Sequence, residues 1–193
     1  MTDVIIQPKI HTIQDYESFI AERANLDRRF ELIHGEIVEK LPTEEHALIA
    51  AMIVHLLMSH VLPRNLGRVA VEPRHQVPGD QHNARLPDVA FTSTERAQPV
   101  VKQGGVPQMP DLAVEIKSPD DRIREMREKA DYYLRNGARV VWLVYPDSQS
   151  IEICTLNIEG TLQITPLAAE ETLDGGAILP EFSVTLGDFF KVS

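Results

Sequence analysis

The 193-residue chain is poor in the features that would assign it quickly. Its one cysteine, Cys154, forms no intrachain disulfide, which excludes a disulfide-stapled secreted scaffold. No charged n-region followed by an apolar run opens the sequence, and the longest apolar helical stretch is interrupted by His55 and His60. Neither export nor membrane spanning is expected on that reading, and a cytoplasmic protein is. Metal-ligand spacing of the zinc type is lacking too. His11, His34, His75 and His82 are scattered, and His55 and His60 stand five apart, not the four that would align them on one helix face. There is no nucleophile elbow, P-loop, dinucleotide fingerprint, internal repeat or low-complexity tract; Ser59 and Ser118 read as helix surface and helix cap.

Positive charge is also scarce. A formal charge of −10 counts against a polyanionic partner, because affinity for a phosphate backbone comes mostly from Lys and Arg. The acidity is unevenly placed, however. From Asp147 onward eight acidic residues face one basic residue, so the preceding segment carries a net charge of only −3. Within it Lys117, Arg122, Arg124, Arg127, Lys129, Arg135 and Arg139 alternate with Asp120, Asp121, Glu125, Glu128 and Asp131, a pattern that also describes a solvated helix face laced with ion pairs.

What is present suits one globular domain over residues 1–193, with 43% hydrophobic and 25% charged residues. Thr12 with Asp15 three residues on predicts a capped helix to about Arg23. Residues 29–33 and 36–40 predict a hairpin across His34-Gly35. Thr43, with Glu44 and Glu45 behind it, caps a helix whose 47–62 stretch is apolar on nearly every side and is expected to be buried against a sheet, ending at a turn bracketed by Pro63 and Gly67. Residues 68–77 read as an edge or bulged strand containing Pro73, and 79–85 as a polar connection. A strand then follows Pro87-Asp88, and a long loop spans 93–110. Ser118-Pro119-Asp120-Asp121 predicts a helix start, Ile123, Met126, Ala130, Tyr133 and Leu134 its apolar stripe, and Gly137 its end. Residues 140–145 are continuously apolar, the mark of a strand covered on both faces; strand, helix and strand over 111–145 have the length of a right-handed crossover between parallel strands. An antiparallel pair over 151–156 and 161–167 and a tail packed back on the body complete the chain.

The stretch around which this order turns is Asp111-Leu112-Ala113-Val114-Glu115-Ile116-Lys117-Ser118. Alternation along a strand puts Glu115 and Lys117 on one face, with Cα atoms about 6.6 Å apart. Such a carboxylate and ammonium either pair with each other as a structural ion pair or jointly meet a divalent metal, a water and a phosphate. Twenty-six residues separate Asp88 from Glu115, room for a strand, a loop and a return that brings the two carboxylates side by side. Asp111 follows Pro110 and is a rival Pro-Asp, but it lies on the same strand as Glu115 and so supplies no ligand from a neighbouring strand.

Pro87-Asp88 and Glu115-Ile116-Lys117, set on strands between two helices, resemble the motif of the PD-(D/E)XK nuclease superfamily. The run Phe30-Glu31-Leu32-Ile33-His34-Gly35-Glu36-Ile37-Val38, the segment 110–119, residues 129–137 and the strand from Trp142 to Pro146 look more specifically like the Uma-two family of restriction-endonuclease-like proteins, over about 30–190. Many members of that family lack a Lys two residues after the Glu. This chain has it. The resemblance implies an α/β (α+β) fold with a restriction-endonuclease-like αβββαβ core: a mixed central sheet flanked by helices, with the N-terminal hairpin and extra C-terminal strands as additions.

It also implies a metal-dependent endonuclease acting on DNA. Asp88 and Glu115 offer the hard oxygens that Mg²⁺ or Mn²⁺ takes, the carbonyl of Ile116 completes the shell, and Lys117 assists the attacking water. Glu36 is either a further acid of the site or an exposed hairpin residue. His46 and Lys129 face the site or are, respectively, a satisfied boundary histidine and a solvated lysine. Two readings compete with the nuclease: a DNA- or protein-interaction module that keeps the fold without turnover, favoured by the acidic charge, and a hydrolase of smaller phosphoesters. A homodimer is expected from the task alone, since two sites related by a two-fold axis cut both strands of a duplex most simply.

Overall fold

The computed structural model describes residues 10–191. The ends of the domain expected over 1–193, including the opening residues on which the expectation of no export rests, lie outside them. Helix α1 (Ile13–Ile20) starts on a reciprocal capping box between Thr12 and Asp15 and stops before a short 3-10 turn at Arg23–Asn25. Strands β1 (Phe30–Ile33) and β2 (Glu36–Glu39) form the predicted hairpin, paired from Phe30 with Glu39 to Ile33 with Glu36. Its turn residues His34 and Gly35 both take positive φ, 49° and 83°, the left-handed geometry that matches the strands' twist.

Helix α2 (Glu44–Arg64) is capped by the Thr43 side chain, which accepts from the His46 N–H. It differs from expectation at its end and on its surface. The helix runs through Pro63, whose fixed φ is helical and whose missing N–H forfeits one bond in the last turn, and it closes at Asn65 in the left-handed region. By length and composition it is apolar enough to cross a membrane. Yet only the stripe Ile49, Ile53, Leu57 and Val61 is fully buried in the core, while Leu48, Met58 and Leu62 are exposed, because the sheet covers one side of a helix that is apolar all round.

Six strands form the central sheet in the order β3 (Gly67–Val71), β4 (Val89–Ser93), β5 (Leu112–Ile116), β6 (Val140–Tyr145), β7 (Ser150–Leu156), β8 (Leu162–Leu167). Only β5 and β6 are parallel, joined by α3 (Ile123–Arg135); every other pair is antiparallel. The order α2, β3, β4, β5, α3, β6 is the αβββαβ core. Strand β3 is the edge and ends where Glu72 takes φ 45°, so Pro73 falls just past the ladder. The expected helix start at Ser118 is instead a tight turn. Asp121 takes back the Ser118 N–H at 2.7 Å and returns its own N–H to the Ser118 carbonyl, and α3 begins only at Ile123, after an Arg122 that caps nothing.

Alternation along the buried strands builds two cores. Leu112, Val114 and Ile116 of β5 meet α2 and the C-terminal tail, whose Leu179, Phe182 and Phe189 close over Trp142. Two short strands, β9 (Thr172–Asp174) and β10 (Ser183–Thr185), pair within that tail. On the opposite face Ala113 packs with Met126, Ala130 and Tyr133 of α3. The hairpin and α1 form a third, small cluster around Tyr16, Phe30 and Leu32, fixed by a hydrogen bond from the Tyr16 hydroxyl to the Phe30 carbonyl.

Candidate functional site

Pairing of β4 with β5 sets Val89 opposite Val114, and one step further the same register sets Asp88 opposite Glu115. Glu115 points to the α3 side, and both are almost fully buried. Asp88 Oδ2 accepts the Ile116 N–H at 2.7 Å and lies 3.0 Å from His46 Nε2; its Oδ1 is 2.5 Å from Lys40 Nζ, which also donates to the Leu86 carbonyl. Glu115 Oε1 accepts the Tyr133 hydroxyl at 2.6 Å, and its Oε2 is 3.2 Å from Lys129 Nζ. Lys129 reaches 2.8 Å to Glu31 of β1, whose other oxygen accepts the Leu86 N–H. Three buried carboxylates and two lysines thus form one network, brought together from the hairpin, two neighbouring strands and α3, with His46 of α2 against Asp88.

Buried charges persist only when paired, and each shift reports its pairing. Burial pushes the Asp88 carboxyl up, but the Lys40 ammonium and His46 outweigh it and hold Asp88 well below the usual carboxylate range. Glu31 is lowered despite burial, by Lys129 and Lys40. Burial keeps Glu115 raised against the pull of the same two lysines, with the charges of Asp88 and Glu31 adding to the rise. Both lysines are raised, because the carboxylates overcome the burial that would discharge them.

The network lines a cleft of about 540 Å³, walled by the hairpin and the start of α3. Glu36 lies at its mouth and is exposed, whereas His46 and Lys129 are inside it. Lys117 is not. Strand β5 ends at Ile116, one residue short of it, and the Lys117 ammonium donates to the Ser118 carbonyl and stands 3.9 Å from Asp147. The structure therefore brings Asp88, Glu115, Ile116, His46 and Lys129 together and leaves Lys117 outside. Asp111, the rival acid, accepts from the Ser93 N–H and from Arg96, pinning the ends of the 93–110 loop.

The sequence pattern marks Glu31 and Lys40 only as hairpin residues and Arg85 as part of a polar connection. All three line the cleft. The one available clue was Glu31 itself, a carboxylate between the apolar Phe30 and Leu32 in a hairpin too short to waste a buried face.

Among the described residues, no three His, Cys, Asp or Glu side chains are arranged to hold a metal ion. Lys40 and Lys129 already stand on the carboxylates. The donor set is nonetheless of the kind that hard divalent cations take: two carboxylates side by side across neighbouring strands, with room in the cleft for the waters that Mg²⁺ retains.

Residues 13–187 match the model of the Uma2 family, described as "Putative restriction endonuclease". The chain belongs to the Uma2 family. Among solved structures it is similar to a putative nuclease belonging to DUF820 from Anabaena variabilis, at 22% identity and a TM-score of 0.71, over 83% of this chain and 89% of that one. At that identity the likeness establishes a shared fold. No curated protein matches the chain. The Uma2 match spans the hairpin, both long helices and the whole of the central sheet, and so includes every residue of the network.

Proposed function

We propose that this Uma2 protein is a metal-dependent endonuclease that hydrolyses DNA phosphodiester bonds in the cleft of Glu31, Asp88 and Glu115. The observation that carries this reading is the pair Asp88 and Glu115, buried side by side on adjacent strands at the floor of an open cleft. Buried carboxylates are costly, and a chain needing only stability is served as well by apolar residues at those places.

Asp88, Glu115 and the Ile116 carbonyl would hold Mg²⁺ or Mn²⁺, which when bound supplies charge neutralisation at the scissile phosphate and a more acidic water. The chain's own groups set the rest. The Ile116 N–H and His46 fix the rotation of Asp88, and the Tyr133 hydroxyl fixes that of Glu115. Lys129 is the ammonium placed to neutralise charge on the attacked phosphate and to orient the entering water, the part that the motif alone gives to Lys117. Glu36 at the mouth is a rim residue.

A second reading, an interaction module that keeps the fold without turnover, is favoured by one specific feature. The cleft's outer wall carries Glu36, Asp120, Asp121, Glu125 and Glu128, which repel a polyanion. Metal titration by calorimetry together with nicking of supercoiled plasmid separates the two. The nuclease binds Mn²⁺ or Mg²⁺ and nicks only with metal, whereas a folded protein that neither binds metal nor nicks is the interaction module. A cytoplasmic location and a homodimer accompany the nuclease reading as part of this proposal.

A further inference from the structure

Arg85 has no place in the network just described. Its side chain lines the cleft and the residue is 1% exposed, yet Nε and Nη1 have no hydrogen-bond partner, and no carboxylate is paired with the guanidinium among the described residues. The contact it does make is with the face of Tyr132, whose ring centroid lies 4.5 Å from the guanidinium carbon. An arginine stays charged at any physiological pH, and burying it without an anion carries a large desolvation penalty that stacking on a ring offsets only in part.

The surrounding acids are already taken. Glu31 and Glu115 share Lys129, and Asp88 holds Lys40. What remains is a planar fork of N–H donors on a side chain that lines the same cleft as the carboxylates, with Nε and Nη1 enclosed and unpartnered. Its position is fixed from both sides: Arg85 exchanges two backbone hydrogen bonds with His75, and Ala84 before it exchanges two with Leu32. Leu86 after it donates to Glu31, and Asp88 follows three residues on. A rigid strut thus carries the unpaired guanidinium and the Asp88 carboxylate into one cleft.

We propose that Arg85 is a phosphate-binding residue of this cleft, receiving a phosphate oxygen of the substrate strand on its free N–H groups. A guanidinium fork matches phosphate geometry two bonds at a time, which a lysine does not. The proposal rests on the nuclease reading for the identity of the ligand, but its anion chemistry does not depend on cleavage.

The test compares the wild type with Arg85→Met and Arg85→Lys. It uses thermal unfolding with and without inorganic phosphate, at ionic strength matched with chloride, and binding of a short duplex oligonucleotide in Ca²⁺ buffer. Arg85→Met is expected to unfold at the wild-type temperature or above it without phosphate, since it removes an unpaired buried charge. It is also expected to lose the stabilisation by phosphate and to bind the oligonucleotide about tenfold or more weakly, with Arg85→Lys between the two. Arg85→Met that unfolds earlier, while Arg85→Lys responds to phosphate and binds DNA as the wild type does, would make Arg85 a structural cation on Tyr132 and overturn the proposal. Equal DNA binding by the wild type and Arg85→Met also overturns it, and leaves the nuclease reading standing. Phosphate stabilisation lost in Arg85→Met, with no DNA binding by the wild type, supports the anion site and removes nucleic acid as its ligand. A wild type indifferent to both probes overturns the assignment of Arg85, and nicking then judges the nuclease separately.

Discussion

The two faces of β5 are packed for different ends. Towards α2, Leu112, Val114 and Ile116 join a continuous apolar core with Ile53, Leu57, Trp142 and the tail residues Phe182 and Phe189. Towards α3, Ala113 continues an apolar layer for one residue, and then Glu115 opens a network of three carboxylates and two lysines. One strand therefore supplies stability on one side and chemistry on the other. The charged side is affordable because the apolar side is complete: burying charge costs several kcal/mol per ion before pairing, and a core of this kind is where the compensating hydrophobic gain resides.

The comparison is sharpened most strongly by Trp142→Ala, which opens a cavity between β6, Phe182 and Phe189. Denaturant unfolding is expected to show a loss of about 3–5 kcal/mol. The same size of effect should appear as activity on the other face. Glu115→Gln keeps the shape and the Lys129 contact but removes the charge, and metal-dependent nicking is expected to fall about 10²–10³-fold. A Glu115→Gln protein that nicks like the wild type would erase the distinction between the faces.

Acid should weaken the fold through His75, whose backbone pairs with Arg85. Burial pushes this imidazole down to about 4 from an ordinary 6.5, while its Nδ1 shares a 2.6 Å hydrogen bond with the Gln108 carbonyl and its Nε2 is buried without a partner. Because the unfolded chain takes up the proton first, stability is fully present above about 6.5 and declines as pH falls towards about 4. The loss is about 3 kcal/mol. Unfolding of His75→Asn, which retains a donor for Gln108, should lack that part of the acid slope; an unchanged slope would assign it to other groups.

The smallest expected difference separates two lysines. Lys129→Met should slow nicking about tenfold or more, whereas Lys117→Met should stay within about threefold of the wild type, since its ammonium lies on Ser118 outside the cleft. The reverse order would return the catalytic ammonium to the motif position.

These residues also show what a single sequence discloses. The hairpin, the capped start of α2, the parallel β5–β6 crossover and the packed-back tail were legible because caps, alternation and apolar runs are local. The side-by-side placement of Asp88 and Glu115 was legible because each sits at a strand end within a family-like motif. The end of α2 and the start of α3 were misplaced for local reasons as well, Pro63 being tolerated in a last turn and Ser118 spent on a turn with Asp121. Lys117 stands apart from the network because alternation predicts direction only while the strand lasts, and β5 stops at Ile116. Lys40 was not legible as a candidate site residue, and Glu31 only through its place between two apolar neighbours. Their partners Asp88 and Leu86 lie 48 and 55 residues away, and nothing in a hairpin's own pattern announces a contact at that range.

The central claim is that the buried Asp88 and Glu115 pair is a metal-dependent nuclease centre. It is tested most directly by nicking of supercoiled DNA in Mg²⁺, Mn²⁺ or EDTA with the wild type, Asp88→Asn and Glu115→Gln at equal folded concentration. Nicking by the wild type is expected to require metal and to be lost in both variants. Metal-independent nicking, or nicking that persists in folded Asp88→Asn and Glu115→Gln, would contradict that claim.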